Sequence, residues 1–259
     1  MLYFVYILAG IGAGIVTGMA GLSAAVIITP LLVSVCKWQS YDAVSVALAA
    51  DVLASLLSAS TYYKNKNVDI KRGLLVMITA FLGTVVGSYC GYLFSLSSPD
   101  GLGYISMVTT VSLGIKFLVK PIVNGETAQS ANTNISKTKT VIAIILGSFI
   151  GWVCGFTGSG GGILMLSVFT LLLGYNLKVA VGTSTMIMSI VALTGTVSHI
   201  GMGANIQVLP FIVVVVSCLA AAAISAKYAN QCQMEKLNKI IGCILLFLGI
   251  MTLVIKLFM

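Results

Sequence analysis

From Gly73 to Leu96 the chain carries no charged residue and shows little polar-face periodicity. Such a run is long enough to cross the ~30 Å hydrocarbon core of a bilayer as one helix. The pattern recurs: apolar segments cover residues 2–20, 22–36, 43–62, 73–95 and 103–119, then 140–157, 160–174, 178–199, 207–229 and 239–258. A soluble fold cannot bury so many of them. Overall, 59% of the 259 residues are apolar and only 8% charged, against about 25% charged in a typical soluble domain. The expected fold is an all-α integral membrane protein. Residues 1–20 lack a basic n-region and a small-residue cleavage site, so they read as a retained span and not as a secretory signal.

The ten segments form two sets of five, with one long polar stretch between them. This predicts a first transmembrane repeat over residues 1–120, a cytoplasmic linker over 121–139 and a second repeat over 140–259. Residues about 137 apart resemble each other: Gly14, Gly18 and Gly21 meet Gly151, Gly155 and Gly158, Trp38 meets Tyr175, and Ala43-Val44 meets Ala180-Val181. An internal duplication is the natural reading. Five segments per half is an odd number, so the second half enters the membrane from the opposite face, giving two repeats of inverted topology.

Charge sets the orientation. If alternate loops lie on opposite sides, one side collects Lys64, Lys66, Lys71, Arg72, Lys116, Lys120, Lys137, Lys139, Lys178, Lys227, Lys236 and Lys239, and the other only Lys37 and Lys256. Cytoplasmic loops hold the basic residues, so both termini are expected outside a cell (plasma or inner) membrane. The formal charge of +8 therefore reports topology and not nucleic-acid binding, because no basic helix face with interleaved aromatics occurs. The six cysteines form no CxxC pair and sit apart from the single histidine; they read as small core-filling residues, with no metal or cofactor expected.

The second segment of each half is short and begins in a glycine-rich break, Gly18-Met19-Ala20-Gly21-Leu22-Ser23-Ala24-Ala25 and Gly155-Phe156-Thr157-Gly158-Ser159-Gly160-Gly161-Gly162. The first two segments of each half are therefore candidates for a broken or re-entrant hairpin. Non-helical backbone at membrane depth is tolerated where protein or a water-filled cavity satisfies it. A helix that follows such a break offers free N–H groups and about half a positive charge to an anion. Gly14, Gly18, Gly151 and Gly155 read instead as close helix packing. The expected substrate-binding residues are Gly21, Ser23, Ala24, Thr157, Gly158, Ser159, Gly160, Gly161 and Gly162, joined by Thr183, Ser184 and Thr185. Those last hydroxyls either complete an anion's hydrogen-bond shell or bond carbonyls of their own helix.

Asp51 lies near the middle of a span, where a carboxylate is expensive and points to function. It is the candidate for coupling to H⁺ or Na⁺, and its repeat counterpart is the apolar Met188. His199 has no carboxylate or second histidine nearby and reads as an interface residue; Trp38, Tyr62, Tyr63 and Tyr175 read as an aromatic belt. The sequence shows no Ser-His-Asp order, paired carboxylates or P-loop, so no catalytic residue is assigned and an ATP-driven pump is unsupported.

The second-half motif Gly155-Phe156-Thr157-Gly158-Ser159-Gly160-Gly161-Gly162, the following Ala180-Val181-Gly182-Thr183-Ser184 and the loop around Asn205-Ile206 resemble the sulfite exporter TauE/SafE family, also called the toluene sulfonate uptake permease family, over nearly the whole chain. The first half departs from the pattern, with Ser23-Ala24-Ala25 in place of the glycine triplet. The resemblance implies a secondary carrier for small anions such as sulfite, sulfonates or thiosulfate, and not an enzyme. An anion channel and a small organic-acid permease remain the alternatives at this stage.

Overall fold

Lipid tails are as apolar as leucine, so helices in a bilayer associate where small side chains let backbones approach. The computed structural model describes residues 2–119, 137–159, 161–232 and 234–258, with the side chains of 234–238 left aside. The described residues form α1 (Leu2–Ala20), α2 (Ala25–Ser34), α3 (Ser40–Lys64), α4 (Ile70–Ser97), α5 (Gly101–Val119), α6 (Lys137–Thr157), α7 (Gly161–Ser167), α8 (Leu177–Gly201), α9 (Val208–Gln231) and α10 (Met234–Phe258). A π-helical turn, Val168–Leu172, prolongs α7. Eight of these helices are long and apolar enough to cross a membrane. The exceptions are α2, whose 10 residues rise about 15 Å, and the α7 stretch. Most of the linker expected over 121–139, residues 121–136, lies outside the described residues.

Glycines select the partners. A Cβ on Gly10, Gly14 or Gly18 of α1 would stand 2.6, 2.2 and 2.8 Å from the carbonyl oxygens of Val214, Cys218 and Ala222 on α9. On α6, a Cβ at Gly147, Gly151 or Gly155 would stand 3.0, 2.0 and 2.2 Å from the carbonyl oxygens of Val76, Ala80 and Thr84 on α4. In both pairs the residue numbers rise together, so α1 runs the same way as α9, and α6 the same way as α4. By contrast, α3 and α8 run in opposite directions: Gly182 near the start of α8 meets Tyr62 and Asn67 at the end of α3, and His199 meets Ser45 at the other end. The α5–α10 pair is antiparallel too, with Gly114 against Leu246 and Gly242 against Leu118.

The turns repeat as the contacts do. Among the described residues, six have φ in the left-handed region, and they form three pairs 137 positions apart: Gly21 (63°) with Gly158 (67°), Lys37 (57°) with Gly174 (71°), and Lys66 (58°) with Gly203 (96°). The short helices close alike. Trp38 N–H donates to the Leu32 carbonyl at 3.1 Å and Tyr175 N–H to that of Phe169 at 2.9 Å, each one residue longer than the 6→1 bond of a Schellman ending. Inside α2, Pro30 has no N–H for the Val26 carbonyl; the Thr110 hydroxyl of α5 donates to it instead.

Two expectations about aromatics fail. Tyr62 and Tyr175 are 1% and 2% exposed, and both are buried as hydrogen-bond donors, not placed in an interfacial belt; Tyr63 does face outward. His199, expected at an interface, is 0% exposed, because both of its ring nitrogens have partners inside the protein.

Replacing Gly151 by alanine drives a methyl into the Ala80 carbonyl, and overpacking of this kind costs about 1–3 kcal/mol. A Cβ on Gly201 would meet nothing within 4 Å, so Gly201→Ala is expected to stay within about 0.5 kcal/mol of wild type. Thermal unfolding in detergent should show a clear loss for Gly151→Ala and little change for Gly201→Ala.

Candidate functional site

Where α1 and α6 end, the chain turns back through Gly21 and Gly158, whose positive φ glycine adopts without steric cost. Each turn leaves a carbonyl three residues upstream without its helical partner. The Tyr62 hydroxyl donates to the Gly18 carbonyl at 3.1 Å, and His199 Nε2 lies 3.1 Å from the Gly155 carbonyl. A carbonyl only accepts, so Nε2 carries the proton. Tyr62 and His199 are themselves 137 positions apart, and thus each half caps its break with a ring from the same place.

The two breaks touch. The Ser23 hydroxyl donates to the Gly158 carbonyl at 2.8 Å. A Cβ on Gly162 would stand 2.6 Å from the Gly21 carbonyl oxygen and 2.7 Å from Leu22 Cα, so only glycine permits this approach. Ser159 Oγ lies 3.3 Å from Ser106 Oγ on α5, while its backbone N–H donates to Thr157 Oγ1 and its carbonyl accepts from that same hydroxyl. A Cβ at Gly161 would meet Cys154 Cβ at 2.8 Å. Ser23 and Ser159 are each 1% exposed.

Asp51 belongs to this meeting point. It is 0% exposed; Oδ1 accepts from the Ser55 hydroxyl at 2.9 Å, and the carboxyl group lies beside the Ser23 hydroxyl and the Ala24 N–H that opens α2. Oδ2 has no hydrogen-bond partner. The positive end of α2 explains how a carboxylate is tolerated here. At the corresponding places in the second half, Ser23, Asp51 and Ser55 give way to Gly160, Met188 and Ala192, so that break carries no acid of its own.

The structure divides the expected site residues into groups. Ser23, Ala24, Gly158 and Gly162 surround the contact between breaks, with Gly161 and Ser159 on its flanks; Gly160 lies outside the described residues. Ser184 and Thr185 adjoin Gly21 instead, where a Cβ would meet Ser184 Oγ at 2.6 Å and Thr185 Cγ2 at 3.3 Å, while Thr183 lies against Gly73, whose Cβ would stand 3.0 Å from its Cγ2. Their hydroxyls are already engaged. Ser184 and Thr185 donate to the Val181 and Gly182 carbonyls of their own helix, and Thr183 Oγ1 accepts the Asp69 N–H at 3.0 Å. Sequence reasoning missed Ser55, Ser106, Tyr62 and His199; the spacing between the last two was the signal that would have found them.

One end of the bundle is tied by an ionic cluster. Asp69 caps α4 by accepting the Arg72 N–H at 3.1 Å and pairs with the Arg72 guanidinium at 2.9 Å. The Tyr175 hydroxyl also donates to Asp69. Burial, reinforced by that bond, pushes the Tyr175 hydroxyl well above the usual phenol range, which keeps it a donor. Lys178 adds a bond to the Asn230 carbonyl, and Asn67 one to the Asn230 side chain. The opposite end holds the exposed pair Lys256–Asp100, 3.4 Å apart.

Two helix starts, small backbone-exposing residues and one buried acid thus meet between the two halves. A family model, Sulfite exporter TauE/SafE, matches residues 6–252. The probable membrane transporter protein YunE of Bacillus subtilis (strain 168) is 26% identical over 96% of this chain and 96% of its own length. A second relative from the same strain, the probable membrane transporter protein YdhB, is 26% identical over 84% of this chain and 86% of its own. No solved structure matches the chain.

The Ser23–Gly158 tie makes a stability prediction. Ser23→Ala leaves a buried carbonyl with a partner fewer, at a cost of about 1–2 kcal/mol, whereas Ser60→Ala, whose hydroxyl bonds Leu57 on an exposed surface, should change unfolding by less than about 0.5 kcal/mol.

Proposed function

The chain belongs to the sulfite exporter TauE/SafE family of membrane transporters, and from that premise we propose that it is a secondary carrier of small anions of the sulfite, sulfonate and thiosulfate class. The observation that carries this reading is the contact of the two breaks through Ser23 and Gly158. It joins residues 135 positions apart at the one place where both halves interrupt their helices.

The anion preference is supported by what already occupies the site. In the first half the start of α2 faces the protein's own carboxylate, Asp51. The second half offers a helix start with Met188 in the acid's place, and a substrate anion takes the position that a carboxylate holds in the first. Its shell draws on Ser23, Ala24, Thr157, Gly158, Ser159, Gly160, Gly161 and Gly162. Gly21 with Thr183, Ser184 and Thr185 forms the flank through which the first break connects to α8.

Alternating access follows from an architecture of two inverted repeats, residues 1–120 and 140–259, joined by a cytoplasmic linker. The antiparallel α3–α8 and α5–α10 pairs, the parallel α1–α9 and α4–α6 pairs and the turns 137 positions apart support this arrangement. Each half's first two segments form a hairpin that enters and returns, and the two hairpin tips meet from opposite faces. Lysines crowd the end that holds the Asp69–Arg72–Tyr175 cluster, which we place on the cytoplasmic side of a plasma or inner membrane, with both termini outside. Asp51 is the coupling residue for H⁺ or Na⁺, with its unpartnered Oδ2 as the ion's place.

The test is uptake of radiolabelled sulfite, thiosulfate and a small sulfonate into proteoliposomes, with and without an ion gradient. Saturable flux, reduced at least about tenfold by Gly161→Leu, is expected; flux that never saturates points to a channel, and absence of flux for all three anions overturns the substrate class. Asp51→Asn should abolish accumulation against a concentration gradient while downhill exchange continues. Undiminished accumulation in that variant removes Asp51 from coupling.

A further inference from the structure

At the lysine-poor end of the bundle, a cavity of about 300 Å³ is lined by Gln39, Tyr41, Asp42, Tyr92, Ser95 and Met202, among others. Tyr41 closes its inner side. The residue is 8% exposed, and its hydroxyl has no hydrogen-bond partner. Beneath it lies His199, its ring stacked on that of Tyr41 with centroids 4.5 Å apart and planes 9° from parallel. His199 Nε2 then reaches the Gly155 carbonyl, three residues before the turn at Gly158. Cavity, tyrosine, histidine and break thus follow one another in line.

We propose that the stacked Tyr41–His199 pair is a proton-released latch, which closes the lysine-poor end of the transport path while the imidazole is neutral and opens it when the ring takes up a proton. The proposal rests on the carrier reading above for its transport consequence, and on the ring's surroundings for its chemistry.

In the neutral ring, Nε2–H donates to Gly155 and Nδ1 accepts. Ser45 Oγ lies 3.0 Å from Nδ1 and 2.7 Å from the Tyr41 carbonyl, so two acceptors compete for its single proton and Nδ1 is the one it serves in this form of the ring. A second ring proton creates a charge in a fully buried place. Toward this end the packed helices carry Tyr41 and Asp42 on α3, Tyr89, Cys90 and Tyr92 on α4 and Cys154 on α6, with Tyr89 turned outward; Tyr62, Tyr63 and the lysines and Arg72 of these helices lie toward the opposite end, and α7 carries no ionisable group. Tyr92 touches Tyr41 and not the imidazole, with centroids 5.9 Å apart. Asp42 Oδ1 accepts the Asn205 N–H on the cavity side, and Asp51 sits at the other break. No carboxylate bonds the ring, since Gly155 and Ser45 occupy its two nitrogens. A buried cation without a counter-charge is costly, and stacking on tyrosine returns only part of that cost. The charge is relieved if the ring swings toward the cavity, which Gln39, Asp42 and Ser95 line with polar groups, and that movement releases Gly155 and displaces Tyr41. At the equivalent place in the first half stands Tyr62, which has no imidazole, so the device is confined to one end.

The experiment has two arms. In proteoliposomes at equal pH inside and out, downhill flux of a small sulfonate, whose own charge does not change, is measured from about pH 8 to about pH 5. Wild-type flux should rise about tenfold on acidification, and His199→Gln should flatten the profile. Should that variant fail to fold, Ser45→Ala serves instead: it removes the donor to the neutral ring and should move the midpoint of the rise to higher pH. A wild-type profile retained in either variant overturns the latch. In the second arm, the chain has one histidine, so ring ¹⁵N labelling gives a single imidazole to follow by NMR. The neutral Nε2–H form is expected at about pH 8, giving way to imidazolium as flux rises. An Nδ1–H form, or a ring unchanged down to about pH 5, overturns the proposal. If wild type carries no sulfonate at all, the carrier reading fails, and the NMR arm alone decides the latch.

Discussion

Within a bilayer, every backbone N–H and C=O must find its partner inside the protein, and this chain interrupts two helices in the buried interior of its bundle. That constraint organises the rest of the molecule. The carbonyls released by the turns at Gly21 and Gly158 are met by Tyr62 and by His199, and the Gly158 carbonyl is met by Ser23 from the other break. Each solution requires a second helix at close range. The partners come from α3 and α8, which pack against each other, and from the first break itself, while the glycine seams hold α1 on α9 and α6 on α4. The breaks are therefore supported from both halves of the chain at once.

The halves share their turns but not their chemistry. Where the first has Ser23, Asp51 and Ser55, the second has Gly160, Met188 and Ala192; where the second has His199, the first has Tyr62. Two breaks of like geometry thus hold a buried acid at one and an imidazole at the other. On the carrier reading proposed above, this difference makes the two ends of an otherwise symmetric frame unequal.

Most of the fold was legible in the sequence, because spans are long apolar runs whose limits are set by charge and by glycine. The segment expected over 103–119 is α5, Gly101–Val119, and the duplicated Gly14 and Gly151 do lie in helix contacts. Less could be read of the site. His199 and Tyr62 looked like interface residues because their partners are carbonyls freed by a turn, and a backbone carbonyl leaves no mark in the sequence. Thr183, Ser184 and Thr185 showed hydroxyls but not where those hydroxyls point, which depends on the helix that carries them. Asp51 was conspicuous for its charge, yet its closeness to Ser23 and Ala24 depends on how α3 packs beside the first hairpin.

The claim on which the rest turns is that the contact between the two breaks is where the anion sits. Crystals soaked in selenite, a selenium analogue of sulfite, would locate it through anomalous scattering. The account predicts a selenium peak between Ser23 and the Gly158–Gly162 turn, within hydrogen-bond reach of backbone N–H groups. A peak elsewhere in a protein that transports sulfite would contradict it.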